Sequence, residues 1–208
     1  MMQHAPLFIV LLPVSAALLC MLFSRIQKNL GSWIVIGSIA AAFMSAVTVL
    51  QQVIADGGKP IHYWMGNWQP PLGIEFVIDP ISGVLAVLIT FISLLGSLYS
   101  LPFVKEEGWL HVGGYYTLYG LMTVGMCGMV ITGDVFNLYV FLEVMSLSGY
   151  GLIALGGKKS MLAAFRYLLI GTIGASLYLL GVGYMYALTG TLNMADMAVR
   201  AAQFLDYP

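Results

Sequence analysis

Charged residues and metal-binding residues are scarce in this sequence. Its 208 residues include 8 Lys and Arg, 9 Asp and Glu, 3 His and 2 Cys, and charged residues make up 8% of the chain. The formal net charge of −1 leaves no basic surface that could follow nucleic acid. Cys20 and Cys127 lie in separate apolar runs without metal or disulfide spacing, so we interpret both as packing residues.

Motifs of soluble catalysis are also missing. The sequence has no phosphate-binding loop, no dinucleotide-binding glycine motif, no nucleophile elbow and no pair of histidines at metal-ligand spacing. Two isolated cysteines cannot hold an iron–sulfur cluster. We therefore expect no cofactor, no metal site and no nucleic-acid partner, and the sequence leaves open whether the chain works within an enzyme.

Apolar residues, by contrast, dominate the chain. They make up 60% of the sequence, and the mean hydropathy of +0.93 is typical of integral membrane proteins. Because about 20 apolar residues in a helix span a bilayer, the apolar runs predict six transmembrane helices. The predicted spans are residues 5–23, 31–54, 81–104, 112–131, 134–156 and 161–189. The predicted fold class is all-α, a polytopic integral membrane protein in contact with the lipid bilayer.

These spans divide the chain into four predicted regions. Residues 1–54 form an N-terminal transmembrane hairpin whose first helix lacks the basic region and cleavage site of a signal peptide. Residues 55–80 form a loop rich in Gly, Pro and aromatic residues, with a short extended segment at 74–77. Residues 81–189 hold four more helices, and residues 190–208 form an interfacial tail.

The basic residues predict how the chain is oriented in the membrane. Six spans place both termini on one side. Six basic residues lie at one set of helix ends and two at the other, namely Arg25, Lys28, Lys105, Lys158, Lys159 and Arg166 against Lys59 and Arg200. Since basic residues favour the cytoplasmic side, both termini and the 55–80 loop are predicted to be extracytoplasmic, in the cell (inner or plasma) membrane of a prokaryote.

Glu143 is an acid inside the fifth predicted span. Nine helical steps from Asp134, the acid that opens this helix in the turn Thr132-Gly133-Asp134, place Glu143 about 13 Å deep, near the middle of the hydrocarbon layer. A charge at that depth costs roughly 2.5–3.5 kcal/mol, so such residues usually face a bundle interior or a water-filled path. A carboxyl that can be neutral or charged near pH 7 is suited to a proton relay.

Other residues on the fifth and sixth helices could support this acid. Tyr139, Ser146 and Tyr150 follow helical i, i+3, i+4 spacing with Glu143 and share one stripe with it and with Phe136. Arg166 lies about 9 Å from the inner end of the sixth helix and Glu143 about 20 Å, so snorkelling to the surface is favoured over a direct ion pair. The alternative interpretation of Glu143 is a structural acid bonded to a neighbouring helix.

Several stretches resemble one known family. These are GNWQPPLGIEFVIDPISGVLAVL at 66–88, SLYS at 97–100, GDVFNLYVFLEVMSLSGYGLIALGG at 133–157 and YALTGTLNMADMA at 186–198. Over residues 60–198 the chain is similar to antiporter-like subunits of the complex I superfamily, above all to the D-type subunits of Mrp-type Na+/H+ antiporters and to relatives in membrane-bound hydrogenases and NADH:quinone oxidoreductases. The resemblance implies that Glu143 is a proton-channel residue that works with a lysine on a seventh helix.

The resemblance also implies helices that this sequence does not contain. The family has about fourteen helices, which include two inverted five-helix repeats, one spanning the fourth to eighth helices and the other the ninth to thirteenth. With six spans the chain would hold three helices of one half-channel, and Lys158, Lys159 and Arg166 lie at the wrong depth to replace the lysine. We therefore expect a fragment or truncated product, or missing helices supplied by another polypeptide.

Together these features predict a proton-translocating, non-redox membrane subunit of a multisubunit complex. Its predicted partners are other membrane subunits, protons and Na+, within a cation/proton antiporter or an NADH:quinone oxidoreductase or hydrogenase-type translocase. Two alternatives stay open, a non-transporting scaffold that docks neighbouring subunits and an inactive truncated product. The sequence does not identify the driving reaction.

Overall fold

Six long apolar helices form the body of the protein in a computed structural model that describes residues 4–27, 29–71, 73–104 and 109–205. They are α1 (Ala5–Ile26), α2 (Leu30–Ala55), α3 (Pro80–Val104), α4 (Trp109–Ile131), α5 (Val135–Ala154) and α6 (Lys158–Thr189). Each contains a stretch long and apolar enough to cross a membrane. The six predicted spans and the helical membrane fold are thereby confirmed, with helix ends shifted by only a few residues.

Helix α4 lies at the centre of the bundle and packs against α1, α3 and α5. Small residues permit this close approach, since a Cβ on Gly120 would lie 3.1 Å from the Ala17 methyl and 3.3 Å from Val35. In lipid, such van der Waals contact between helices replaces the hydrophobic drive that packs soluble proteins. Helix α6, in contrast, packs mainly on α5 and leaves much of its apolar surface exposed.

A β-hairpin covers one end of the bundle. Strands β1 (Ile61–Trp64) and β2 (Glu75–Ile78) pair antiparallel, with Tyr63 opposite Phe76. Phe76 and Ile78 are 2% and 1% exposed because they point into the helices below. The extended segment predicted at 74–77 corresponds to β2, which begins and ends one residue later, and its buried apolar side chains close this end of the bundle, which we call the hairpin end.

Both ends of the described chain lie at the hairpin end. His4 Nδ1 is 3.0 Å from the hydroxyl of Tyr63 in the hairpin. After Gly190, helix α7 (Met194–Leu205) is held against α6 by Arg200, whose Nη1 donates to the Thr189 carbonyl at 3.0 Å. A hydrogen bond from Arg200 lowers the pKa of Asp196. The side of the membrane on which the hairpin end lies stays a prediction. Two of the basic residues behind that prediction, Lys28 and Lys105, lie outside the described residues.

Asp79 caps the start of α3, and removing its side chain is expected to cost about 1 kcal/mol of unfolding free energy. The Ser82 amide donates to Asp79 Oδ1 at 2.7 Å, and the Asp79 amide donates to Ser82 Oγ at 2.8 Å, a reciprocal capping box. We expect Asp79→Ala to lower the thermal unfolding midpoint in detergent at pH 7. Asp56→Ala is the matched control, because Asp56 is an exposed acid at the C-terminal end of α2.

The same cap predicts a pH dependence. The amide and hydroxyl of Ser82 lower the pKa of Asp79 below its ordinary value, so the cap stabilises the fold above pH about 4 and this stability is lost as the pH falls through the folded-state pKa. The gap between wild type and Asp79→Ala should therefore shrink toward pH 3. A gap that stays constant down to pH 3 would contradict the carboxylate cap.

Candidate functional site

Two tyrosine pairs join α5 to α6. The rings of Tyr139 and Tyr178 are stacked, with centroids 6.4 Å apart and planes 6° apart. Three turns further along α5, Tyr150 meets Tyr167 edge to face with centroids 4.7 Å apart. The two pairs fit a single antiparallel register between the helices. Any residue of α5 between Tyr139 and Tyr150 that shares their stripe therefore faces the segment of α6 between the two partner tyrosines.

Glu143 and Ser146 lie between the two tyrosine pairs at the interface of α5 and α6, which we call the seam. The register places Glu143 level with Gly174, and Ser146 level with Gly171. A Cβ on Gly174 would meet no atom within 4 Å, whereas a Cβ on Gly171 would collide with the hydroxyl of Tyr150. Tyr150 therefore takes up the space beside Gly171, whereas the space beside Gly174, at the level of Glu143, is open.

The carboxyl of Glu143 is half-buried. Among the residues that the structure describes, it has no hydrogen-bond or ion-pair partner. Glu143 is also the one acidic residue within the described helices α1–α6. The described residues therefore leave the hydrogen-bonding capacity of this carboxyl unused.

The structure brings most of the predicted site residues together. Tyr139, Ser146 and Tyr150 lie on the Glu143 stripe, with Tyr150 buried and the other two half-buried. Arg166 is exposed on α6 and forms no ion pair with any described residue, and its snorkelling to the membrane surface stays a prediction. Their roles beside Glu143 stay a prediction. The tyrosines on α6 were not predicted, because the stripe on one helix does not reveal the facing residues of another.

A second polar cluster, which sequence reasoning missed, lies at the hairpin end. Glu75 on β2 is 5% exposed, and its Oε1 accepts from Asn193 Nδ2 at 2.6 Å. His62 Nδ1 is 3.1 Å from Glu75 Oε2. The Glu75 carbonyl also accepts from the Gly133 amide at 3.0 Å. One buried acid thus ties the hairpin to the start of α5 and to the end of α6.

Asp134 begins α5 beside this cluster. It is 8% exposed, and its Oδ1 accepts from the Asn137 amide at 2.7 Å as a helix cap. Burial raises the pKa of Asp134. The backbone of Asp134 pairs with that of Asn193, and this pairing joins the loop before α5 to the loop before α7. The acid predicted at this helix start is therefore a cap, as expected, but it is far more buried than a surface cap.

These features define a class of protein, a polytopic helical membrane subunit with a carboxyl group set within its spans. Residues 132–206 match the family described as NADH:quinone oxidoreductase/Mrp antiporter, transmembrane. The chain is 43% identical over 208 residues to the N-type subunit of NADH-quinone oxidoreductase from Desulforudis audaxviator, covering all of this chain and 41% of that one. It is 32% identical over 197 residues to the D-type subunit of a Na(+)/H(+) antiporter from Bacillus subtilis, covering 93% and 38% respectively.

Solved structures agree with these relatives. A chain of the membrane-bound sulfane sulfur reductase, an archaeal respiratory membrane complex, matches with a TM-score of 0.87 and 33% identity over 95% of this chain and 40% of that one. A chain of the Mrp complex from Dietzia sp. shares the fold, with a TM-score of 0.79, 24% identity and coverage of 97% and 39%.

The chain is thus similar to the antiporter-like membrane subunits of the Mrp and complex I families, which confirms the resemblance noted in the sequence. It spans well under half the length of the relatives it matches.

Proposed function

We propose that the chain forms part of a proton-translocating subunit and that Glu143 carries the proton. The observation that supports this proposal is the placement of Glu143, an acid in mid-helix, half-buried, without a described partner and level with open space at Gly174. Burying a carboxyl within a membrane costs a few kcal/mol, and acids at such positions usually have a functional role. A structural acid would be expected to bond a neighbouring helix instead.

Glu143 would work by changing its charge. When a positive group approaches, the charged carboxylate is favoured and the proton leaves, and when that group withdraws, the neutral acid is favoured and a proton is taken up. Tyr139 and Ser146, one turn on either side, offer hydroxyls that can orient the carboxyl or a bound water. The positive group is expected from elsewhere in the assembly, because Arg166 is exposed and unpaired in the described structure.

The assembly we propose is a multisubunit complex of the Mrp or complex I type. Relatives carry the names Na(+)/H(+) antiporter and NADH-quinone oxidoreductase, which point to two driving processes, Na+ exchange and quinone reduction. In both cases the partners would be other membrane subunits, and the ion moved by this chain would be the proton. No step of the redox chemistry is assigned to residues of this chain.

The test is proton movement in vesicles that contain the whole native complex with Glu143→Gln. A pH-sensitive dye inside the vesicles reports proton flux after a Na+ pulse or after addition of NADH and quinone, so the responding arm also identifies the driver. We expect Glu143→Gln to reduce driven flux to the level of protein-free vesicles, because the amide cannot carry a proton. Glu143→Asp is the control and should retain part of the flux. Wild-type flux in Glu143→Gln would refute the proposal.

A further inference from the structure

We propose that Asp134 is a second proton-carrying residue, which connects Glu143 to the hairpin end of the membrane through Tyr178 and Tyr139. This inference rests on the proposed function of Glu143. It assigns a side and a path to the proton that the carboxyl of Glu143 exchanges. The path follows the seam between α5 and α6, from the middle of α5 to its first residues.

At the hairpin end, the path reaches the buried carboxyl of Asp134. Folding alone does not require an acid at this position. A helix cap requires a hydrogen-bond acceptor, and Asn or Ser supplies one as well as Asp does. Asp134 is nevertheless an acid that is 8% exposed, next to a second buried acid, Glu75, whose carbonyl binds the adjacent Gly133. Burial of the Asp134 carboxyl disfavours its charged form, so that a proton can be held there as well as released.

Tyr178 links this carboxyl to the seam. Its hydroxyl donates to the carbonyl of Val135, the residue that follows Asp134, at 3.0 Å. The same tyrosine lines a pocket of about 330 Å³ with Val135 and with Met197 of α7. A tyrosine from α6 therefore places its hydroxyl at the start of α5, beside the buried acid.

Tyr139 completes the path toward Glu143. Its ring stacks on that of Tyr178, and it lies one helical turn from Glu143 on the same stripe. From Asp134 to Glu143 the rise along α5 is about 13 Å, too long for one hydrogen bond, and two phenol hydroxyls divide it into shorter steps. Gaps above 3.5 Å between these groups are of the kind that a single water bridges.

The proton balance along this path is simple. Protonated Glu143 gives its proton to the first hydroxyl or water, each member passes on one proton and receives one, and the carboxylate of Asp134 becomes a carboxylic acid. Asp134 then releases the proton at the hairpin end, where the two residues before it, Thr132 and Gly133, line a pocket of about 270 Å³ together with Glu75 and His62. Glu143 is left as a carboxylate, ready for the next proton.

From Glu143 toward the C-terminal end of α5, the described helices offer fewer side chains that could carry a proton. Below Glu143 the stripe continues with Ser146 and Tyr150, but no acid follows on α5 or on the facing part of α6. The geometry therefore favours exchange between Glu143 and the hairpin end for this part of the protein.

The experiment compares Asp134→Asn with Asp134→Ala in vesicles that contain the whole complex. Both remove the acid, but Asn keeps the helix cap. We expect Asp134→Asn to reduce driven proton flux at least tenfold while its thermal unfolding midpoint stays that of wild type, and Asp134→Ala to lose both. Normal flux in Asp134→Asn with reduced flux in Asp134→Ala would identify Asp134 as a cap only and overturn the inference, as would normal flux in both.

A second pair of variants decides the matter if Asp134→Asn does not assemble. Tyr178→Phe removes one hydroxyl and keeps the stacked ring, and Tyr167→Phe is the matched control in the other tyrosine pair. We expect slower flux only in Tyr178→Phe, and equal flux in the two variants would overturn the path. Glu143→Gln in the same preparation separates the two proposals: if it blocks flux while Asp134→Asn and Tyr178→Phe do not, the path fails and the function of Glu143 stands.

Discussion

Replacing Glu143 with leucine is expected to give a protein that is more stable than wild type and moves no protons. Leucine fills a similar volume without the cost of desolvating a carboxyl, which is roughly 2.5–3.5 kcal/mol for an acid at the centre of a membrane helix. The half-buried Glu143 has no described hydrogen bond to lose, so nothing offsets this gain. The measurement is the thermal unfolding midpoint in detergent, together with driven proton flux in vesicles of the same complex.

This double result separates transport from scaffolding. A scaffold that only docks neighbouring subunits would tolerate Glu143→Leu in every assay and gain stability. A structural acid would lose stability, since a hydrogen bond to a neighbouring helix would disappear. Only a proton carrier is expected to gain stability and lose flux in one substitution.

Sequence periodicity was sufficient to predict the membrane part of this fold. Each helix of the bundle is a continuous apolar segment between polar turns, and in a bilayer every such segment must satisfy its own backbone hydrogen bonds as a helix. The stripe of Tyr139, Glu143 and Ser146 followed from the same geometry, because residues on one helix keep a fixed angular relation. These features depend only on local sequence.

Contacts between distant segments could not be predicted in this way. The bond from Asn193 to Glu75 joins residues 118 positions apart, and Tyr178 meets Val135 across 43 positions. Such pairs depend on the tilt and rotation of whole helices, which packing against neighbours decides. The sequence also does not show that the space beside Gly174 is open, whereas the space beside Gly125 is taken by Met145 and Phe141 of α5.

Gly125→Ala in α4 is expected to destabilise the protein by about 2–3 kcal/mol, because the added methyl has no room. Its Cβ would lie 2.6 Å from the Met145 backbone nitrogen and 2.7 Å from the Phe141 carbonyl oxygen, and backbone atoms of α5 cannot move aside without shifting the helix. Phe141 and Met145 form the face of α5 opposite the stripe that carries Glu143. The same methyl should therefore also displace the site and reduce proton flux.

Gly149→Ala on α5 is the matched control and should change stability in the other direction. A Cβ at Gly149 would meet no atom within 4 Å, so alanine there keeps its advantage over glycine in a helix, roughly 0.5–1 kcal/mol. Thermal unfolding midpoints in detergent should thus rank Gly149→Ala at or above wild type and Gly125→Ala well below it. If both variants shifted the midpoint equally, the tight contact between α4 and α5 would not be what fixes the position of Glu143.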